Sequence, residues 1–221
     1  MLFDLRSRGR RRTVQVVYLG LALLMGGGLV LFGVGSGNSI GGLLNGLTGN
    51  GSSGAQTQVV SQAEKAALRQ TKLNPNDPSG WSALVQARWT SAGQGSDYNA
   101  STGVFTAVGK KELAGTTQAW QRYLQLTRSP DPNLAILAAR AYAALGDYAN
   151  EAGAWEIETT ANPSEVKGYE CLAVSAYAAK QTRKGDLAAA KALSLVPKLQ
   201  RITLKQAIDA AKTQPSVAQS C

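Results

Sequence analysis

Apolar side chains fill residues 14–34, interrupted only by Gln15. A helix rises about 1.5 Å per residue, so a run of 21 residues matches a hydrocarbon core of about 30 Å. The pattern predicts a transmembrane helix over 13–35. Arg6, Arg8, Arg10, Arg11 and Arg12 lie just before it, and residues 35–58 carry no charge. Positive flanks stay inside, so the basic tail 1–12 is expected in the cytoplasm and everything after the helix outside. The competing pattern, a cleaved signal peptide, would need a shorter apolar stretch and an Ala-x-Ala site. The run is longer than that and no such site follows it, so an uncleaved anchor is the expectation.

Residues 36–58 form a linker rich in Gly, Ser and Asn, with the glycines closely spaced. Such a chain behaves as a flexible tether of about 25 to 30 Å. Beyond it the periodicity turns helical and stays so. Alanine-rich stretches are separated by proline clusters at Pro75 and Pro78, Pro130 and Pro132, Pro163 and Pro197. Each marks one helix ending and another starting, because proline favours the first helical turn and pushes its predecessor out of the α region. Helices are expected over 59–70, 79–90, 115–127, 133–145, 148–160, 164–179, 186–195 and 197–213. The fold class is all-α, with one helical domain over 59–213 and a tail over 214–221. Leu199, Ile202, Leu204, Ala207, Ile208 and Ala211 fall on helical spacing and predict a capping helix.

Charge and composition narrow the chemistry. Of the formal charge of +9, residues 1–12 supply +4, which topology and anionic inner-leaflet lipid explain; nucleic acid is not expected as a partner. Histidine is absent, and the only cysteines are Cys171 and Cys221. This excludes imidazole acid/base chemistry, Ser-His-Asp triads and the common zinc sites, so no cofactor or metal is expected. Cys171, inside a helical pattern, reads as a small buried apolar residue, and Cys221 as a loose thiol outside the cell. Spacing alone leaves a bridge between them undecided.

Pro163 and Pro197 are 34 residues apart, and Trp120 and Trp155, like Tyr142 and Tyr177, are 35 apart. Helical pairs at such a period suggest a stacked array. The pattern resembles the tetratricopeptide repeat. The matching residues are Trp81 and Leu84 in a first unit; Tyr142, Gly146, Asp147, Tyr148, Ala152, Trp155 and Pro163 in a second; and Tyr169, Leu172, Lys191, Ala192, Leu193, Leu195 and Pro197 in a third. The first unit departs from the pattern through an insertion over 91–111, and the second opens with Ala135 in place of an aromatic. The resemblance spans residues 74–197 and implies a short α-solenoid.

It also implies a groove built from the first helix of each pair, where such arrays hold a peptide. By that pattern the groove-facing residues are Gln86, Trp89, Asn133, Arg140, Lys167, Glu170 and Tyr177. The expected function is a scaffold anchored in the cell membrane that holds an envelope protein or peptide outside it. An alternative is a cell-wall or small-ligand module stacking on Tyr98 and Phe105. An enzyme using Asp97, Glu112, Glu156 or Glu158 is disfavoured. Glu156 and Glu158 are two residues apart on a helix and do not share a face, and no nucleotide loop or ligand cluster accompanies them.

Overall fold

Aspartate followed by proline starts two of the helices. Asp77 accepts the Ser79 N–H at 2.9 Å ahead of Pro78, and Asp131 accepts the Asn133 N–H at 2.8 Å ahead of Pro132. The carboxylate satisfies an otherwise orphaned donor, and proline has no N–H to orphan. In the computed structural model residues 53–221 are described. They comprise α1 (Ser53–Leu73), α2 (Pro78–Ala92), a hairpin of β1 (Tyr98–Asn99) and β2 (Val104–Phe105), α3 (Ala107–Leu126), α4 (Pro132–Leu145), α5 (Tyr148–Ala161), α6 (Val166–Ala178), α7 (Thr182–Leu195) and α8 (Arg201–Ala210). Short 3-10 turns occupy Gly95–Asp97, Lys198–Gln200 and Pro215–Ser220. This portion is mostly helical, as expected of an all-α fold. The basic tail 1–12, the expected transmembrane helix 13–35 and the linker up to residue 52 lie outside the described residues. Among the described residues no helix is long and apolar enough to cross a membrane.

Several boundaries differ from the sequence expectation, among them α7, which begins at Thr182 rather than 186. α1 begins at Ser53, inside the stretch read as linker. α3 begins at Ala107 rather than 115, because Thr106 caps it by accepting the Gly109 N–H at 3.4 Å. The last five residues of the insertion thus belong to α3, and its irregular part is the hairpin and its flanks. Residues 214–221, read as a tail, instead end in a turn packed on the domain.

Successive helices pack as neighbours from α1 to α7, and α8 closes the row against α6 and α7. α4 and α6 begin 34 residues apart, at Pro132 and Val166, as do α5 and α7, at Tyr148 and Thr182. The turns between the paired helices match as well. Gly146 at φ 77° and Lys180 at φ 62° occupy the same left-handed position, which suits glycine and strains lysine. Trp120, Trp155, Tyr142 and Tyr177 are buried in one core cluster among Ala135, Ala138, Ala139, Ala152, Ala173, Ala176, Ala188 and Ala192. Small side chains let helix backbones approach, and the large rings fill the spaces between them.

The end of the row is only half apolar inside. Ile208 and Ala211 are buried, but Leu199 is 93% exposed and Ile202 70% exposed. Residues 198–200 form a 3-10 turn before α8 starts, so the expected helical face rotates and these two side chains point to solvent.

Candidate functional site

α4 and α6 are the first helices of two successive hairpins, and the segment after α8 lies on them. Pro215–Ser220 packs chiefly against α6 and also touches α4. Ala218 is fully buried there, and Val217 and Cys221 pack at the edge of the core. Three side chains fix its course. Cys221 is disulfide-bonded to Cys171 of α6, with the two Cα atoms 5.6 Å apart, an ordinary separation for a bridge. Arg140 of α4 donates from Nε to the main-chain oxygen of Cys221 at 3.2 Å. Gln219 donates from Nε2 to the Tyr148 hydroxyl at 3.4 Å.

Cys171 is buried as expected, but it is not a free thiol, and Cys221 is not loose. Sequence reasoning had one signal for this, the presence of two cysteines, and no means of judging their distance. Cys171, Cys221 and Gln219 are residues of this site that the repeat pattern missed, and Tyr148 entered it as a turn residue without a role at this face.

Among the expected groove residues, Arg140 is exposed and engaged with Cys221. Lys167 and Glu170 form an ion pair at 3.3 Å, one turn apart near the start of α6. Asn133 is exposed in the first turn of α4, and Gln86 is exposed on α2. Trp89 is half-buried and tilts against Phe105, with ring centroids 6.3 Å apart. Tyr177 belongs to the core. Its hydroxyl donates to Asp186 at 2.7 Å, and Lys212 sits 4.5 Å from its ring centre. Burial and then the bond to Asp186 push its pKa up to about 12. It supports α7 and the segment after α8, and it presents no side chain to a groove.

The other sequence candidates also resolve into structural roles. Tyr98 and Phe105 pair across the hairpin with ring centroids 5.0 Å apart, so each ring uses contact surface on the other. The Asp97 carbonyl receives the Thr106 N–H and hydroxyl and closes the base of the hairpin. Burial, followed by repulsion from Glu64, raises the pKa of Glu112. Glu156 is exposed and pairs with Lys184 at 3.0 Å across an open cavity of about 660 Å³ between α5, α6 and α7.

Glu158 faces the opposite way and is buried. Its Oε1 accepts from the Asn162 amide at 3.1 Å, its Oε2 has no partner, and burial raises its pKa against that hydrogen bond. Glu151, two turns earlier on α5, is fully enclosed. Its Oε1 accepts the Trp155 indole N–H at 3.4 Å and its Oε2 has no partner. Burial pushes its pKa up to about 8, with the indole hydrogen bond opposing. Two carboxyls buried on one helix, each with one oxygen unpartnered, make a polar core feature. Among the described residues no cluster of His, Cys, Asp and Glu could hold a metal ion.

No family model, curated protein or solved structure matches this chain.

Proposed function

We propose that this chain is a membrane-anchored scaffold whose helical domain is a short tetratricopeptide-like solenoid holding a protein or peptide partner outside the cytoplasmic membrane. One observation carries the reading. The face made by α4 and α6 already holds a peptide segment, residues 215–221, through one buried small side chain, two side-chain hydrogen bonds and a disulfide. A first-helix face that accommodates a segment of this chain is a surface of the kind that repeat arrays use for segments of other chains.

The 34-residue spacing of α4 with α6 and of α5 with α7 supports the solenoid, as does the alanine and aromatic core. The apolar run 14–34 behind five arginines supports an anchor with its N-terminus in the cytoplasm. The disulfide fits the same topology, since such bonds persist in oxidising compartments and are rare in the cytosol.

Site-specific photocrosslinking in intact membranes tests the reading. A photoreactive residue replacing Asn133 or Lys167, on the first helices, should capture a discrete partner. The same residue replacing Thr160 on α5 should not. Equal capture from both positions would refute a docking face on α4 and α6, and a domain recovered without its N-terminal segment would refute the anchor.

A further inference from the structure

The contact pattern between first helices changes along the row. α2 and α4 pack directly on one another, whereas α4 and α6 barely touch, and Pro215–Ser220 packs against both. The segment therefore stands where a direct helix contact would otherwise form. The segment meets Cys171 of α6 through the disulfide and Arg140 of α4 through a hydrogen bond, and its Ala218 is fully buried in the core. Removing the segment would bare this seat without removing any helix.

The non-covalent hold on the segment is thin. Ala218 is its one fully buried side chain, Val217 is half-buried, and Ser216, Gln219 and Ser220 are exposed. Its inter-element hydrogen bonds are the two from Arg140 and Gln219, both at the surface. Exposed hydrogen bonds of this kind contribute little net stability. The segment joins α8 through residues 211–214, and α8 makes its own contacts with α6 and α7. It can leave while α8 stays.

We propose that residues 215–221 are a resident ligand latched on the α4 and α6 face by Cys171–Cys221, and that a dithiol reductant opens this face to a protein partner. The inference rests on the scaffold reading above and names what controls its docking surface. The partner class follows from what the seat now holds: a short segment with one small apolar side chain for the seat, a main-chain oxygen to accept from Arg140 and a thiol within reach of Cys171.

The chemistry balances. Cys171 is enclosed and Cys221 is half-exposed, so the reductant thiolate attacks the Cys221 sulfur. A mixed disulfide forms there and Cys171 leaves as a thiolate. The second thiol of the reductant then attacks its own sulfur in the mixed disulfide and releases Cys221. Two electrons pass from the dithiol, which becomes a disulfide, and two protons end on the cysteines.

The test uses the full chain in detergent, oxidised or treated with dithiothreitol. Hydrogen exchange of residues 215–221 should accelerate at least about tenfold on reduction, with α8 and the buried centre of α5 unchanged. Unchanged exchange of the segment would overturn the latch, because packing alone would then hold it; acceleration throughout the domain would overturn it too, by showing that the bond supports the whole fold.

A second arm probes the seat. A synthetic peptide of residues 213–221, its cysteine activated as a mixed disulfide with thionitrobenzoate, is offered to the full-chain variant Ala218→Arg with Cys221→Ser. Attack by the Cys171 thiolate joins it to the peptide sulfur and expels thionitrobenzoate. The rate should saturate with peptide concentration and exceed that of a scrambled peptide by about tenfold or more. Linear, sequence-independent rates would overturn the seat. Photocrosslinking at Lys167 that captures a partner equally with and without reductant would overturn the redox control while leaving the scaffold standing. Capture in neither state would remove both.

Discussion

Glu151→Gln should reverse its effect on stability between acid and mildly alkaline pH. Glu151 is 0% exposed, and its carboxyl has only the long indole hydrogen bond from Trp155. Desolvation moves its pKa from 4.5 to about 8. In the unfolded chain the group loses its proton near the ordinary value, while in the folded domain it keeps it. Below about pH 4.5 both states are protonated, and this residue's contribution is fully present. As pH rises towards 8 the folded state binds the extra proton, so its stability falls with a slope of up to about 1.4 kcal/mol per pH unit. The ceiling over that window is about 5 kcal/mol, and relaxation around a buried carboxylate reduces it to a few. Glutamine keeps the shape and never ionises. At pH 5 the variant should be level with the natural chain or up to about 1 kcal/mol less stable, because its amide gains no new partner. At pH 8 it should be the more stable by a few kcal/mol. Urea unfolding of both proteins at pH 5, 6.5 and 8, with the disulfide intact, measures the difference, in which the other titrating groups largely cancel. Parallel pH profiles would refute the argument, since they would mean that Glu151 reaches water or a cation in the folded domain.

Trp155→Ala should cost about 3 to 5 kcal/mol in the same assay, and somewhat more at high pH, where the Glu151 carboxyl would lose its one hydrogen bond. Gly168→Ala should destabilise by about 1 to 3 kcal/mol, because a methyl group there collides with the Glu158 carboxylate and approaches Thr159; the double change with Glu158→Ala should recover part of that loss. Replacing residues 99–104 by two glycines should shift the urea midpoint by less than about 1 kcal/mol in equivalent free energy. Deleting 91–111 as a block should unfold the first hairpin, since it removes the buried Ala92 and Gly109 and the opening turns of α3.

Helix starts were legible wherever the signal is local. Asp131 with Pro132, and Asp147 after Gly146, place the starts of α4 and α5 to within a residue, because a cap is satisfied by side chains adjacent in the chain. The first turns of α3 were not legible. Val108, Gly109 and Lys110 follow a Gly, Ser and Thr-rich stretch, and Gly109 is there because its Cα passes the Asp97 carbonyl closely, a reason visible only once the hairpin has folded back. Tyr177, expected on the groove, is buried for a related cause. Tyr142 and Tyr177 are 35 residues apart while their helices repeat every 34, so Tyr177 lies one residue past the position equivalent to Tyr142, and what covers it depends on α7 and on the segment that follows α8.

The carboxylates show the same division between local and distant information. Helical spacing correctly separates Glu156 from Glu158, since positions two apart diverge around the axis. It gives no sign that the stripe carrying Glu158 also carries Trp155 and Glu151 into the core. Residue type argued the other way, because an acidic side chain belongs outside unless something compensates its burial. At Glu151 part of the compensation is a proton that folding holds in place, and at Glu158 it is the Asn162 hydrogen bond with the space that Gly168 leaves beside it. A proton held by burial has no residue code, so the polar core of α5 is where the tertiary environment overrides what the sequence states residue by residue.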